Sequence, residues 1–97
     1  MRIYISGPIT NVIDYKEKFA RVEQNQKAKY PDAEIINPTV LDKLPLTYDE
    51  YMELDLMLID MCGAIYMMNG WEKSKGACIE FGYATDKELI ILSEVQP

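Results

Sequence analysis

Short apolar segments alternate with helical patterns along the chain, and this alternation constrains the fold more than any other feature. Segments rich in β-branched and aromatic residues are the predicted strands, at residues 2–6, 34–37, 64–68 and 89–92. Longer segments with helical spacing of apolar residues separate them, at residues 14–30, 47–61 and 74–87. Such alternation favours a parallel sheet with helices on both faces. We therefore predict one α/β domain over residues 1–97, a small flavodoxin-like or Rossmann-like three-layer sandwich.

The order of the strands determines where a ligand binds on such a sheet. The pattern favours the order 2-1-3-4, which places the first and third strands side by side at the point where the winding reverses. The loops that follow these two strands, residues 7–11 and 69–74, should then form one cleft. Neither loop has the glycine spacing of a dinucleotide-binding loop or of a P-loop.

Capping signals and apolar spacing define the individual elements. Asp14 with Glu17, and Thr47 with Glu50, have the spacing of capping boxes. The last strand is expected to be a short buried run, residues 39–46 a connecting loop and residues 93–97 a tail. Each of the first two helices should bury one stripe: Tyr15, Phe19, Val22 and Gln26 in the first, and Tyr51, Leu54, Leu58 and Met61 in the second.

The segment from Asn69 onward combines a strand end, a glycine turn and a helix start, with Ser74 as the predicted N-cap. Backbone N–H groups at such a junction can bind an anion. Glu80 lies one turn inside this helix, and its helical neighbours are small or uncharged: Gly76, Ala77, Tyr83 and Ala84. A ligand can therefore approach the carboxylate closely. The alternative is a solvated surface glutamate.

A second carboxylate, Asp55, lies among apolar residues of the second helix. Such a residue either faces a cleft or bonds nearby backbone at the edge of the core. Tyr4, at the end of the first strand, should lie near the same cleft. We predict that Glu80 and Asp55 both face the cleft with Tyr4 between or beside them. Two neighbouring carboxylates oppose each other's ionisation, so at least one pKa should be raised.

The absence of histidine from all 97 residues limits the chemistry. It excludes Ser-His-Asp and Cys-His catalysis and most zinc sites, so no metal and no cofactor is predicted. Catalysis would use carboxylates, Tyr, Ser, Lys or backbone dipoles. Cys62 and Cys78 lie in apolar contexts and are predicted to be buried thiols of a cytosolic protein.

The net charge of −6 disfavours nucleic acid and anionic membranes as partners, because both require a basic surface. No apolar run approaches the roughly 20 residues of a transmembrane helix. Met1 and Arg2 lead directly into the first strand without a signal-peptide pattern, so we expect a cytoplasmic protein.

Three segments together resemble the nucleoside 2-deoxyribosyltransferase-like superfamily, and in particular its small phage and prophage proteins. They are residues 4–9 (YISGPI), the Asp55-Leu56 pair and residues 74–84 (SKGACIEFGYA), in the same order along the chain. The resemblance implies that Glu80 attacks the anomeric carbon of the sugar, that Asp55 helps to protonate the departing base, and that Tyr4 orients Glu80. It also implies substrate-binding residues, namely Ser6, Gly7, Pro8, Ile9, Gly70, Trp71, Ser74 and Gly76.

Within that superfamily, the resemblance to the deoxynucleotide hydrolases assigns Ser74 to a 5′-phosphate. Those hydrolases usually carry an arginine in the first loop, where this chain has Thr10 and Asn11. The predicted function is cleavage or transfer of the N-glycosidic bond of a (deoxy)nucleoside or its 5′-monophosphate. The alternatives are a non-catalytic nucleotide-binding module and a phage interaction protein that uses the fold as a scaffold.

The apolar residues of the second helix also indicate that the chain forms an oligomer. It is apolar nearly all round, which is typical of a helix buried on more than one side. We therefore expect a homodimer or higher oligomer in which Met57 and its neighbours meet a second copy. The resemblance implies the same, since members of the superfamily commonly complete the site across subunits. The alternative is that Leu56 and Met57 are isolated exposed residues.

Overall fold

The computed structural model describes residues 1–93, so most of the predicted tail lies outside the described residues. Strands and α-helices alternate within this range as the sequence predicts. In chain order they are β1 (Arg2–Ser6), α1 (Tyr15–Lys29), β2 (Glu34–Ile36), α2 (Tyr48–Asp60), β3 (Ala64–Met67), α3 (Lys75–Asp86) and β4 (Ile90–Ser93). Two 3₁₀ helices, Pro38–Lys43 and Trp71–Lys73, lie in the connections.

The four strands form a fully parallel sheet in the order β2-β1-β3-β4. Both the α/β class and the strand order are therefore confirmed. Alternate residues of β1 point to opposite faces, because successive side chains of a strand alternate. Ile3 and Ile5 pack with Phe19 of α1, whereas Tyr4 packs with Ile59 of α2. This alternation places Tyr4 in the layer that also contains α3.

Two glycines shape the loops at the carboxyl ends of β1 and β3. Gly7 is buried, and a Cβ atom there would lie 2.7 Å from the sulfur of Met68. A side chain at this position would therefore force the loop after β1 away from the sheet. Gly70 adopts a φ of 83°, a left-handed conformation that glycine takes without strain. It turns the chain from β3 toward the start of α3.

The two predicted capping boxes have different outcomes. Thr47 and Glu50 form the complete box, in which the Thr47 hydroxyl accepts from the Glu50 N–H and the Glu50 carboxylate accepts from the Thr47 N–H. The prediction for Asp14 is wrong, since its side chain makes no capping hydrogen bond and instead lies 3.6 Å from Lys18 Nζ. The predicted loop at residues 39–46 is largely the 3₁₀ helix Pro38–Lys43, capped by the Asn37 side chain.

Three burial predictions are also wrong. β4 is an edge strand, so Ile90 and Ile91 are exposed although the run is apolar. Cys78 is exposed and only Cys62 is buried; both are free thiols. Ile59 is the buried residue of α2, whereas Met61, predicted to face the core, is 56% exposed.

Two methionines at the outer side of α2 are uncovered, among acidic residues that are also exposed. Met57 and Met61, one turn apart, are both exposed. Leu56, in contrast, is partly buried against the sheet, so it is not an exposed singleton. The homo-oligomer stays a prediction, and sedimentation equilibrium at micromolar concentration is its test. A mass of 11.2 kDa throughout would exclude it.

Candidate active site

Glu80 is the centre of the site. Ser74 caps α3 by accepting a hydrogen bond from the Ala77 N–H at 3.2 Å, which fixes the helix over the end of β1. Glu80, in the second turn, is 6% exposed, so the alternative of a solvated glutamate is wrong. Its two oxygens accept hydrogen bonds from the Tyr4 hydroxyl at 2.9 Å and the Ser6 hydroxyl at 2.7 Å. Two residues of β1 therefore hold the carboxyl group in a fixed orientation.

Asp55 lies beside Glu80, and the two side chains interact. Burial raises the pKa of Glu80 to about 8, and the neighbouring charge of Asp55 contributes further. Burial also raises the pKa of Asp55 to about 6, opposed by hydrogen bonding to Glu80 and Tyr4. Between these values the pair holds one proton. The predicted upward shift is therefore present in both carboxyl groups.

Tyr4 links the two carboxyl groups. It is fully buried, and its hydroxyl interacts with both Glu80 and Asp55. Burial and the two neighbouring carboxylates raise its pKa well above the ordinary value. The hydroxyl consequently stays protonated and serves as a donor, which favours the ionised form of the carboxyl group that it contacts.

The carboxyl groups face a cavity of about 300 Å³ at the carboxyl ends of β1 and β3. Its wall comes from β1 and the loop after it, α1, the Pro38–Lys43 helix, α2 and the start of α3. The lining residues are Ile5, Gly7, Ile9, Thr10, Tyr15, Phe19, Pro38, Asp42, Tyr48, Tyr51, Met52, Asp55, Ser74, Gly76, Ala77 and Glu80. The loop after β1 lines the cavity as predicted, whereas Ser74 alone of the predicted second loop does; α1, α2 and the Pro38–Lys43 helix close the sides.

The structure brings together most of the predicted site residues. Catalytic candidates Glu80 and Asp55 line the cavity, and so do four predicted binding residues: Gly7, Ile9, Ser74 and Gly76. Tyr4 and Ser6 do not line it but hold Glu80. The remaining three, Pro8, Gly70 and Trp71, lie outside the lining. The Trp71 ring stacks on Phe81, with centroids 4.6 Å apart, and so packs beside α3 instead of facing the cavity.

Sequence reasoning missed one wall of the cavity. Asp42, from the Pro38–Lys43 helix, accepts a hydrogen bond from the Tyr15 hydroxyl. Tyr51 donates to the carbonyl of Leu44 in the same connection, and a weaker contact of 3.4 Å reaches the carbonyl of Asp42. Tyr15 and Tyr51 had been predicted as core residues. The sequence feature that could have indicated this wall is the presence of three tyrosines, at positions 15, 48 and 51, each next to polar or charged residues.

Two other kinds of site are not found among residues 1–93. No group of three or more Cys, Asp or Glu side chains is arranged to hold a metal ion. None of the helices described is long and apolar enough to cross a membrane.

Comparison with known proteins first establishes the class of fold. The chain is similar to the solved structure of a 2-desoxiribosyltransferase from Leishmania mexicana, with a TM-score of 0.73 and 24% identity. The match covers 95% of this chain and 62% of that one. The fold is therefore that of the nucleoside 2-deoxyribosyltransferase-like proteins, as the sequence motifs suggested.

Family membership follows from a second comparison. Residues 1–93 match the family described as Domain of unknown function (DUF4406), and the chain belongs to that family. No match was found among curated proteins. A phage or prophage origin stays a prediction.

Proposed function

We propose that this protein cleaves or transfers the N-glycosidic bond of a nucleoside, with Glu80 as the nucleophile. The observation that carries the proposal is the buried Glu80 carboxyl group, held by Tyr4 and Ser6 and facing a cavity beside Asp55. A glutamate side chain is rarely buried in this way without a cationic partner. The likeness to a 2-desoxiribosyltransferase supports the same reaction class.

The reaction has two steps. In the first, a Glu80 oxygen attacks C1′ of the sugar, the C1′–N bond breaks, and its electron pair leaves with the base, which takes a proton from Asp55. In the second, water or the nitrogen of another base attacks C1′. The C1′–O bond to Glu80 then breaks, the carboxylate is restored, and the proton of the incoming nucleophile goes to Asp55. Water gives hydrolysis, and a second base gives transfer.

The protons of the carboxyl pair fit this scheme. Between pH 6 and 8 the pair holds one proton; the higher pKa of Glu80 places it mainly on Glu80, and the reactive form is the one in which it lies on Asp55. The hydroxyls of Tyr4 and Ser6 donate to the two Glu80 oxygens and so favour the ionised form of Glu80; Tyr4 also interacts with Asp55. In that form one proton is available for the base and the nucleophile is charged.

The charge of the cavity supports an uncharged nucleoside over its 5′-monophosphate. Among the described residues that line the cavity, three are carboxylic acids (Asp42, Asp55 and Glu80) and none is Lys or Arg. A phosphate would enter a negative field with no cation to compensate it.

Incubation with a panel of nucleosides and monophosphates, followed by chromatography of released bases, tests the proposal. Base release that disappears in Glu80→Gln is the expected result. Glu53→Gln, on the exposed side of α2 and outside the cavity lining, is the matched control and should retain activity. Ligand-induced thermal stabilisation without any turnover would instead indicate a binding module, and the absence of both would indicate a scaffold.

A further inference from the structure

We propose that Asp42 recognises the base, and that the cavity selects bases that carry an exocyclic amino group over those with an oxo group there. This inference rests on the proposed function and specifies the substrate class of the same cavity. Three arrangements carry it: the order of the carboxyl groups along the cavity, the hydroxyl hydrogens that Tyr15 and Tyr51 already use around Asp42, and the acceptors that remain at that wall.

The order of the carboxyl groups fixes the orientation of the substrate. Glu80 is the deepest, attached to β1 through Tyr4 and Ser6. Asp55 interacts with Glu80 on one side, and the charge of Asp42 acts on it as well. If Glu80 contacts C1′ and Asp55 protonates the leaving nitrogen, the rest of the base extends past Asp55. The wall that contains Asp42 then faces the outer edge of the base.

The hydrogen bonds at this wall leave it with acceptors. A carboxylate has no hydrogen to donate. The Tyr15 hydroxyl uses its one hydrogen on Asp42, and the Tyr51 hydroxyl directs its own to backbone carbonyls of the same connection. Each of these oxygens retains lone pairs. A ligand that contacts Asp42 must therefore supply the hydrogens itself.

An exocyclic amino group meets that requirement. Adenine and cytosine carry an amino group at the outer edge, and Asp and Glu accept hydrogen bonds from such groups. Hypoxanthine and uracil have the same ring sizes but place an oxo oxygen at the corresponding atom. Its lone pairs would face the lone pairs of Asp42, so the oxo group itself gains no hydrogen bond there, and the ring N–H beside it reaches Asp42 only if the base shifts along the wall. The discrimination therefore lies between two groups of almost equal size.

Two substrate pairs isolate this effect. Initial rates of base release are compared for deoxyadenosine against deoxyinosine and for deoxycytidine against deoxyuridine. We expect kcat/KM to favour the amino member of each pair by about 10- to 100-fold, the range for a lost hydrogen bond in a partly exposed site. Asp42→Asn keeps an oxygen to accept from Tyr15 but adds an N–H₂ donor. It should reduce both ratios to within about threefold.

Asp32→Asn is the matched control, because Asp32 is exposed and lies outside the cavity lining; it should keep the wild-type ratios. Equal rates within both pairs, or ratios unchanged by Asp42→Asn, would overturn the inference and leave the proposed function intact. If no nucleoside releases its base, the proposed function fails. Calorimetric titration with the same four nucleosides then decides this inference: tighter binding of the amino members supports it, and equal or absent binding overturns it.

Discussion

Two tyrosine–carboxylate pairs lie at the cavity, one at its buried end and one at its more exposed end, and they differ mainly in burial. At one end Tyr4 donates to Glu80, and both side chains are buried. At the other end Tyr15 donates to Asp42, and both remain half-exposed. Burial raises the pKa of Glu80 to about 8, because the charged form loses water. The comparison teaches that the same pair of groups is suited to nucleophilic chemistry where water is excluded and to ligand recognition where it is not.

The largest difference between the ends should appear when each carboxylate is replaced by its amide. Glu80→Gln removes the nucleophile, so kcat/KM should fall about 10⁴-fold or more. Asp42→Asn should instead change which base is preferred. Steady-state base release for both variants measures this directly. If the two substitutions reduced every substrate equally, the two ends would not have separate roles.

Asp55 lies between the two ends and should have an intermediate effect. Asp55→Asn removes the proton donor for the leaving base, with an expected loss of about 10²- to 10⁴-fold in kcat. The loss should be smallest for nucleosides whose base leaves readily without protonation, and a series of leaving groups measures this dependence. The same loss across the whole series would contradict a role as general acid.

Tyr4 is a positioning residue, and its removal should cost less. Tyr4→Phe keeps the ring but removes one donor to Glu80, so kcat/KM should fall about 10-fold. Because that donor favours ionised Glu80, the pH profile of kcat/KM, with limbs near pH 6 and 8, should move to higher pH. Tyr30→Phe, at the end of α1 and outside the cavity, is the control. A lower rate with an unmoved profile would indicate a structural defect only.

The last prediction concerns stability. In the unfolded chain Glu80 has a pKa near its ordinary value of 4.5, against about 8 in the folded protein. Between these values the folded state binds the additional proton, so the free energy of unfolding falls as pH rises, by up to about 1.4 kcal/mol per pH unit. Denaturant unfolding at pH 5 and pH 8 should show this decrease. Glu80→Gln should make the free energy of unfolding fall less steeply with pH. An equally steep decrease in that variant would show that the buried Glu80 carboxyl group is not its cause.

The sequence predicted the fold because its signals are local and repeated. Short β-branched runs, helical spacing and the Thr47–Glu50 box each determine one element, and parallel connectivity determines the sheet. Glu80 and Tyr4 could be predicted to lie together because α3 follows β3, the neighbour of β1, and Asp55 could be added because a carboxylate among apolar residues of α2 indicates a cleft. The burial of β4 could not be predicted, since an apolar run looks the same in the centre of a sheet and at its edge.

The wall formed by Asp42 could not be predicted for a different reason. It depends on the path of a connection that contains two prolines and adopts a 3₁₀ conformation, capped by Asn37. Nothing in the spacing of Tyr15 and Asp42 places them together, because the contact joins elements separated by β2. Tertiary contacts of this kind depend on how the chain returns to the sheet.

The central claim is that Glu80 forms a covalent bond to the sugar. Intact-protein mass spectrometry after rapid acid quench, with a deoxynucleoside present and no acceptor base added, tests it most directly. The account predicts a fraction of protein heavier by one deoxyribosyl group, mapped by proteolysis to the α3 peptide that contains Glu80, and no such species in Glu80→Gln. Base release by the wild type with an adduct on another residue, or an adduct that persists in Glu80→Gln, would contradict it.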